Sequence, residues 1–308
     1  MFRYIVRRLL QMILTFFGAT FLVYGLTFAN QDDPLQALAG ERPISDSVRA
    51  ALTERYHLDE PFIVQYWYYM KGLLSGDFGT SLTGRKIADM MVQAWPVTIK
   101  LALISIIIAA SVAVLAGVIS GIRRGGIFDN VTLVVTLVLL ALPIVVLAPL
   151  AQLLFGIQLG WFPPTAGRDA SFYALIMPAL VLGSGIIATE LRVTRASVAE
   201  NLRSDYVRTA RAKGLSRKRV IGVHVLRNSL IPVVTLIGVD IGGLMSGAIV
   251  TEGVFNIPGV GFNLLRGIRT EDGPLVVGFV SILLIIFLVV NLLVDLLYAA
   301  LDPRIRYE

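Results

Sequence analysis

Residues 101–122 read LALISIIIAASVAVLAGVISGI and contain no charged side chain. A helix needs about 20 apolar residues to cross the roughly 30 Å hydrocarbon core of a bilayer, so this stretch predicts a membrane-spanning helix. Further apolar segments of similar length lie on both sides of it along the chain. They cover residues 9–28, 131–155, 170–189, 230–251 and 275–300.

The composition agrees with a membrane protein. Charged residues make up 16% of the 308 residues, against about 25% in soluble domains. The sequence predicts an all-α, polytopic membrane protein with six transmembrane helices. Because there are no cysteines, disulfides, iron–sulfur clusters and thiolate metal sites are excluded, and the redox compartment stays open.

The first apolar segment has two interpretations. Arg3, Arg7 and Arg8 precede it, as basic residues precede the apolar core of a secretory signal. That core is usually about 7–15 residues long, however, and this segment is longer. We therefore favour a retained membrane anchor over a cleaved signal.

The basic residues predict the orientation. Residues 1–8, 123–129, 190–229 and 301–308 carry 17 of the 27 Lys and Arg residues, and cytoplasmic loops are enriched in such residues. Both termini are thus predicted to be cytoplasmic. The net charge of +6 follows from these loops, so nucleic acid is not expected as a partner. We divide the chain into residues 1–28 (N-terminus and first span), an extracytoplasmic region at 29–100 with its own small subdomain, and a five-helix core at 101–308.

The long cytoplasmic segment, residues 190–229, has a patterned apolar row. Val198, Leu202, Tyr206, Ala210 and Gly214 follow one another at intervals of four, which predicts a single narrow helix face. Gly214 can end the helix in a left-handed conformation, and a second helix is predicted after an N-cap at Ser216. A plain topology loop needs no such row, so we favour a docking surface for another protein.

Several polar or small residues fall within or beside the predicted spans. Asp240 is either a structural polar contact or part of a translocation path, since intramembrane acids usually face a partner or water. Asp295 is expected to cap or pair near the inner interface, and Glu190, Arg192 and Arg195 to form an interfacial charge cluster. Small residues in the fifth span allow close helix packing or line a pore; with Asp240, the candidates are Gly242, Gly243, Ser246 and Gly247.

No catalytic or metal site is expected. The segment GTSLTGRK at 79–86 superficially resembles a phosphate-binding loop, but Arg85 intrudes and Ile87 replaces the required hydroxyl residue. His57 and His224 are the only histidines, and no partner residue in the sequence suggests a metal site or a triad. No cofactor is expected to bind to this chain.

The cytoplasmic segment carries a resemblance. Residues 205–216 read DYVRTARAKGLS and resemble the signature loop of binding-protein-dependent ABC permeases, in particular the dipeptide/oligopeptide/nickel branch. Arg208 and Thr209 stand where the general pattern has Glu and Ala, a departure that the peptide branch shares. The resemblance continues through YIVRRL at 4–9, GDFGTS at 76–81, EGVFNIPGVG at 252–261 and LDPRIR at 301–306. The long outer loop is typical of the first (B-type) permease of the pair. One departure is Asp272-Gly273-Pro274, where the family often has an aromatic residue before the proline.

The resemblance implies an ABC importer permease fold and a set of partners. A second homologous permease would complete the pore, and two ATPase subunits, or one fused ATPase, would bind ATP and Mg²⁺. An extracytoplasmic binding protein would deliver a di- or oligopeptide through the inner membrane of a prokaryote. The loop residues expected to couple to the ATPase are Asp205, Tyr206, Arg208, Ala210, Arg211, Lys213, Gly214, Leu215 and Ser216.

Three alternatives stay open from the sequence. A permease of the same family could carry nickel or another small solute. A self-sufficient secondary transporter would favour an inverted repeat, which is not detectable in the sequence. A membrane enzyme would need convergent acid–base or metal residues in the spans, and no such set is visible. The chain is therefore expected to be a transport subunit and not an enzyme.

Overall fold

The computed structural model describes residues 2–28, 46–47, 50, 53–54, 57, 59–167, 169–245 and 248–301. Within these ranges, the side chains of residues 2–5, 241–242, 245 and 293–301 are not described. The sequence expectations for Ser246 and Gly247, for the side chains of Gly242 and Asp295 and for most of residues 29–58 thus lie outside the described part.

Helices account for the fold, as the composition predicts. In chain order they are α1 (Phe2–Phe28), α2 (Phe62–Leu74), α3 (Ile87–Ile122), α4 (Ile127–Ala141), α5 (Ile144–Ala151), α6 (Phe172–Leu182), α7 (Ser184–Asn201), α8 (Asp205–Ala212), α9 (Arg217–Ser229), α10 (Ile231–Met245), α11 (Ile249–Val254), α12 (Val260–Arg269) and α13 (Gly273–Leu301). A π-helical turn extends α5 over Gln152–Gln158, and another forms the middle of α9 over Val220–Val225.

The described residues contain the six apolar elements that the sequence predicts, three of them bent. Val6–Phe28, Ile87–Ile122 and Gly273–Leu292 are single helices long and apolar enough to cross a membrane. Three helix pairs qualify when each is taken as one broken span: α4 with α5, α6 with α7, and α9 with the first part of α10. The all-α membrane fold is confirmed. The predicted starts of the second and fifth spans differ, because α3 begins at Ile87 and the last pair begins at Arg217.

Proline and glycine explain two of the bends. The axis turns by 111° between α4 and α5, where Leu142 is extended (φ −89°, ψ 116°). Such a conformation is favoured before a proline, here Pro143. Between α6 and α7 the turn is 61°, at Gly183. A Cβ atom on Gly183 would lie 2.9 Å from the Ser105 hydroxyl and 3.2 Å from Ala109 Cβ, so glycine permits the close approach.

The chain forms two compact units. The first comprises Met1–Thr98 and Pro258–Glu308. In it, Tyr24 and Phe28 of α1 pack with Val277 of α13, and aromatic side chains of α2 cover them. The Tyr69 hydroxyl of α2 lies 2.7 Å from Ser281 Oγ, and burial raises the pKa of Tyr69 to about 12.

Asp272 holds another part of the same unit. Its carboxylate accepts hydrogen bonds from Ser81 Oγ and from the Leu82 amide, and its second oxygen accepts one from the Leu275 amide at 3.1 Å. Asp272 therefore caps the start of α13 and fastens the 79–86 loop to it. These contacts give a structural role to Asp272, which the sequence analysis names only as part of the Asp272-Gly273-Pro274 departure from the family.

The second unit, Ile99–Ile257, has a close crossing of α3 and α7. A Cβ atom on Gly117 would lie 2.6 Å from Thr194 Cβ and 2.9 Å from the Leu191 carbonyl oxygen. One on Gly121 would lie 2.8 Å from Val198 Cβ. Such distances are below van der Waals contact, so the two helices can cross here only over glycine.

We predict that Gly117→Ala destabilises the protein by about 1–3 kcal/mol, the usual cost of overpacking. Gly185→Ala, on α7, is the matched control because no atom lies within 4 Å of its added Cβ. The midpoint of thermal unfolding in detergent, followed by tryptophan fluorescence, measures both. Equal midpoints for the two variants would show that the crossing tolerates a methyl group.

Candidate functional site

The structure places the candidate loop on a short helix with two different faces. In α8, Val207 is fully buried and Ala210 is 5% exposed, whereas Asp205, Arg208 and Ala212 are exposed. The buried pair packs with Val198, Val220 and Val225. One face of α8 thus packs against the rest of the second unit, and the opposite face is exposed.

Glycine ends this helix as the sequence predicts. Gly214 has φ +75°, its amide donates to the Arg211 carbonyl oxygen at 2.9 Å, and the Leu215 amide donates to the Ala210 carbonyl oxygen at 3.3 Å. These two bonds form a Schellman motif. Leu215 then turns back onto the buried cluster, which fixes the exit of the chain.

One sequence interpretation is wrong: the row from Val198 to Gly214 does not form a single helix face. α7 ends at Asn201, and α8 starts after a turn at 202–204. Tyr206 is 38% exposed while its neighbour Val207 is buried. Residues four apart lie on the same face only within one continuous helix. The turn at 202–204 interrupts the helix, so residues before and after it do not share a face.

Asn201 stabilises the turn through its side-chain amide. Asn201 Oδ1 accepts a hydrogen bond from the Tyr206 hydroxyl, 2.5 Å away. Its Nδ2 donates to the Ser197 carbonyl oxygen at 2.9 Å and to Ser229 Oγ at 3.1 Å. One side chain therefore joins the ends of α7 and α9 to the start of α8, and sequence reasoning missed it because its partners are remote along the chain.

The remaining candidate residues surround the second helix start. Ser216 lies at the N-cap position of α9, as predicted, but its side chain makes no capping hydrogen bond. Arg211, Leu215 and Arg217 line a cleft of about 470 Å³. Lys213 and Gly214 are exposed beside it. The exposed surface around the end of α8 is therefore basic.

A partly buried ion pair joins α7 to α4. Arg195 of α7 donates two hydrogen bonds to Asp129 of α4, one of them 2.8 Å long, and the Gly125 amide donates a third at 2.8 Å. The expected charge cluster of Glu190, Arg192 and Arg195 is therefore wrong. Arg195 is paired with Asp129, and Glu190 is fully buried. Charged residues at the edge of an apolar segment usually have a partner. Asp129, just before the apolar segment 131–155, could have been identified as such a partner from the sequence.

Of the candidates in the fifth span, the described side-chain surroundings are those of Asp240 and Gly243. Asp240 is partly buried in α10, and Gly243 is exposed with no atom within 4 Å of an added Cβ. Within the described residues, no group of three His, Cys, Asp or Glu side chains is placed to hold a metal ion.

Comparison with known proteins covers the whole chain. Residues 113–307 match the family described as binding-protein-dependent transport system inner membrane component, and residues 1–102 match the N-terminal part of such components. The di/tripeptide transport system permease protein DppB of Pseudomonas aeruginosa is 37% identical over 335 residues, the dipeptide permease DppB of Escherichia coli 36% over 338, and the glutathione permease GsiC of Escherichia coli 36% over 310. Each alignment covers 100% of both proteins. The chain therefore belongs to the inner membrane components of binding-protein-dependent transport systems, as a multi-pass permease.

Proposed function

We propose that this permease forms half of the translocation path of an ATP-driven importer of short peptides. The observation that carries the proposal is the full-length similarity to permeases named for dipeptides, di- and tripeptides, and glutathione. Glutathione is itself a tripeptide, so these names share one cargo chemistry. A second homologous permease completes the path, an extracytoplasmic binding protein delivers the peptide, and ATP with Mg²⁺ binds in two ATPase subunits or one fused ATPase.

Reconstitution tests this proposal. We expect proteoliposomes containing this chain, its partner permease and the ATPases to take up a labelled dipeptide only with ATP and the binding protein. The permease alone should show no ATP hydrolysis, because its 79–86 loop departs from the phosphate-binding pattern. Uptake of nickel chelates without uptake of peptides would contradict the assignment of cargo.

The exposed face of α8 is the part of the chain that we propose docks on the ATPase. This exposed face follows helical spacings of three or four residues and lies opposite the buried Val207 and Ala210. Its residues are Asp205, Arg208, Thr209 and Ala212. The buried face ties α8 to α7 and α9. A force applied to α8 by the closing ATPases is therefore passed to two helices that lead into spans, which supports its role in coupling.

Substitutions at two alanines of α8 distinguish an effect on docking from an effect on folding. Ala212→Glu changes the exposed face, so ATP-driven uptake should fall by more than about tenfold, the factor that corresponds to 1.4 kcal/mol of docking free energy, with the unfolding midpoint unchanged. Ala210→Glu puts an unpaired charge into the buried cluster and should lower the midpoint. Uptake and unfolding curves measure both effects.

Cross-linking gives an independent check of the same surface. A cysteine at exposed Lys213, in a chain that has no native cysteine, should cross-link to the ATPase in a nucleotide-dependent manner. Normal uptake by Ala212→Glu together with no cross-link from Lys213→Cys would remove α8 from the coupling mechanism.

The fifth span is our candidate for the pore wall or for the seam between the two permeases. Gly243 exposes its backbone on α10, and Asp240 lies one turn before it. Gly242, Ser246 and Gly247 belong to the same proposal on sequence grounds. A helix surface of small residues lets either a cargo peptide or a second helix approach closely.

The orientation is also a proposal, with both termini and residues 190–229 in the cytoplasm. Single cysteines at two exposed serines test it. In intact cells, an impermeant thiol reagent should label Ser75→Cys and should label Ser216→Cys only after permeabilisation. The reverse pattern would invert the topology.

A further inference from the structure

Glu190 is a buried carboxyl group without a hydrogen-bond donor. It lies on α7 with none of its surface exposed, and no described N–H or O–H group donates to Oε1 or Oε2. An ionised carboxylate in such a place loses its hydration without compensation, which costs several kcal/mol. The Glu190 carboxylate is therefore stable here only if a bound proton or a cation neutralises its charge.

The group that faces Glu190 is another carboxyl. Asp240 of α10 lies close enough to Glu190 for the two carboxyl groups to interact, and α7 packs directly against α10. Two ionised carboxylates are both acceptors, so they cannot bond to each other and repel at short distance. A proton placed between them removes the repulsion and makes one carboxyl the donor.

No neighbouring cation takes the place of that proton among the described residues. Helices α4, α6, α9 and α10 pack against α7, and Ala102 and Ile106 of α3 pack against Leu244 of α10, but residues 101–122 of α3 have no ionisable side chain. Arg195 is bonded to Asp129, and Arg192 and Arg227 are exposed. The other ionisable side chains of these elements are Tyr173, Glu200, Arg217, Lys218, Arg219 and partly buried His224.

We propose that Glu190 and Asp240 form a proton-binding site that holds one shared proton between α7 and α10. The shared proton joins α7 to α10. The first of these helices leads into α8, which we propose docks on the ATPase, and the second carries the small residues of the fifth span. When the proton leaves, the two carboxylates repel each other and the contact between α7 and α10 weakens. The site therefore makes the contact between α7 and α10 sensitive to pH. This pH dependence is independent of the identity of the cargo.

The folded chain then binds one proton more than the unfolded chain near neutral pH, where free carboxyls are ionised. Linkage requires stability to fall as pH rises, with the unfolding equilibrium constant growing by up to about tenfold per pH unit. Glu190→Gln and Asp240→Asn each replace one carboxyl by an amide that donates without a titratable proton, so either variant should abolish this pH dependence while keeping the fold. Glu200→Gln, an exposed position on the same helix α7, is the matched control and should behave like the unchanged chain.

The experiment measures the unfolding midpoint of the full chain in detergent between pH 5.5 and pH 8.5, with sodium or choline as the salt cation. Infrared spectra of the unchanged chain should show the carbonyl band of a protonated carboxyl, shifted in D₂O and absent from Glu190→Gln. The same pH dependence in Glu190→Gln as in Glu200→Gln, or no protonated-carboxyl band at neutral pH, would overturn the proposal. Stabilisation by sodium that replaces the pH dependence would also overturn it, because the ligand would then be a metal cation. The infrared band keeps the test decisive even where a variant fails to fold.

Discussion

The close crossing of α3 and α7 is the constraint on which the second unit depends. Gly117 and Gly121 let the Thr194 and Val198 side chains lie directly on the α3 backbone. That contact fixes the position of α7, which also carries Glu190, Arg195 and Asn201. Each of these residues joins a different neighbour: Glu190 faces α10, Arg195 binds α4, and Asn201 reaches α8 and α9. Small residues at such crossings are typical of helices in lipid, where packing replaces the hydrophobic effect as the driving force.

Polar contacts between helices add directional constraints to the apolar packing of the described residues. Dispersion contacts tolerate rotation of one helix against another, whereas a carboxylate with a guanidinium has directional geometry. The Asp129–Arg195 pair thus sets the rotation of α7 against α4, and Tyr69 with Ser281 does the same for α2 and α13 in the first unit. The carboxyl pair of Glu190 and Asp240 differs from both, because its geometry requires a proton.

Much of the fold could be predicted from the sequence, since hydropathy alone reports whether a segment suits lipid. The six apolar elements follow from segment length and hydropathy, and the left-handed Gly214 follows from the conformational freedom of glycine. The turn after Asn201 could not be predicted, because it is stabilised by Ser229 and by the buried valines of α9, which are distant in the sequence. The partners of Arg195 and Glu190 could not be predicted for the same reason: spacing along one helix cannot identify a residue on another helix.

The hydrogen bonds of Asp272 have a consequence for synthesis of the chain. Ser81 and Asp272 are 191 positions apart, so the 79–86 loop leaves the ribosome long before its anchor exists. The loop can reach its final conformation only when translation has passed residue 272 and the start of α13 has formed. A chain that is truncated before this point lacks the acceptor of the Leu82 amide and one partner of the Ser81 hydroxyl, and it has no last helix to cover α1. The contact therefore forms only in a polypeptide whose synthesis has passed residue 272, and the conformation of the 79–86 loop reports on the presence of the last helix.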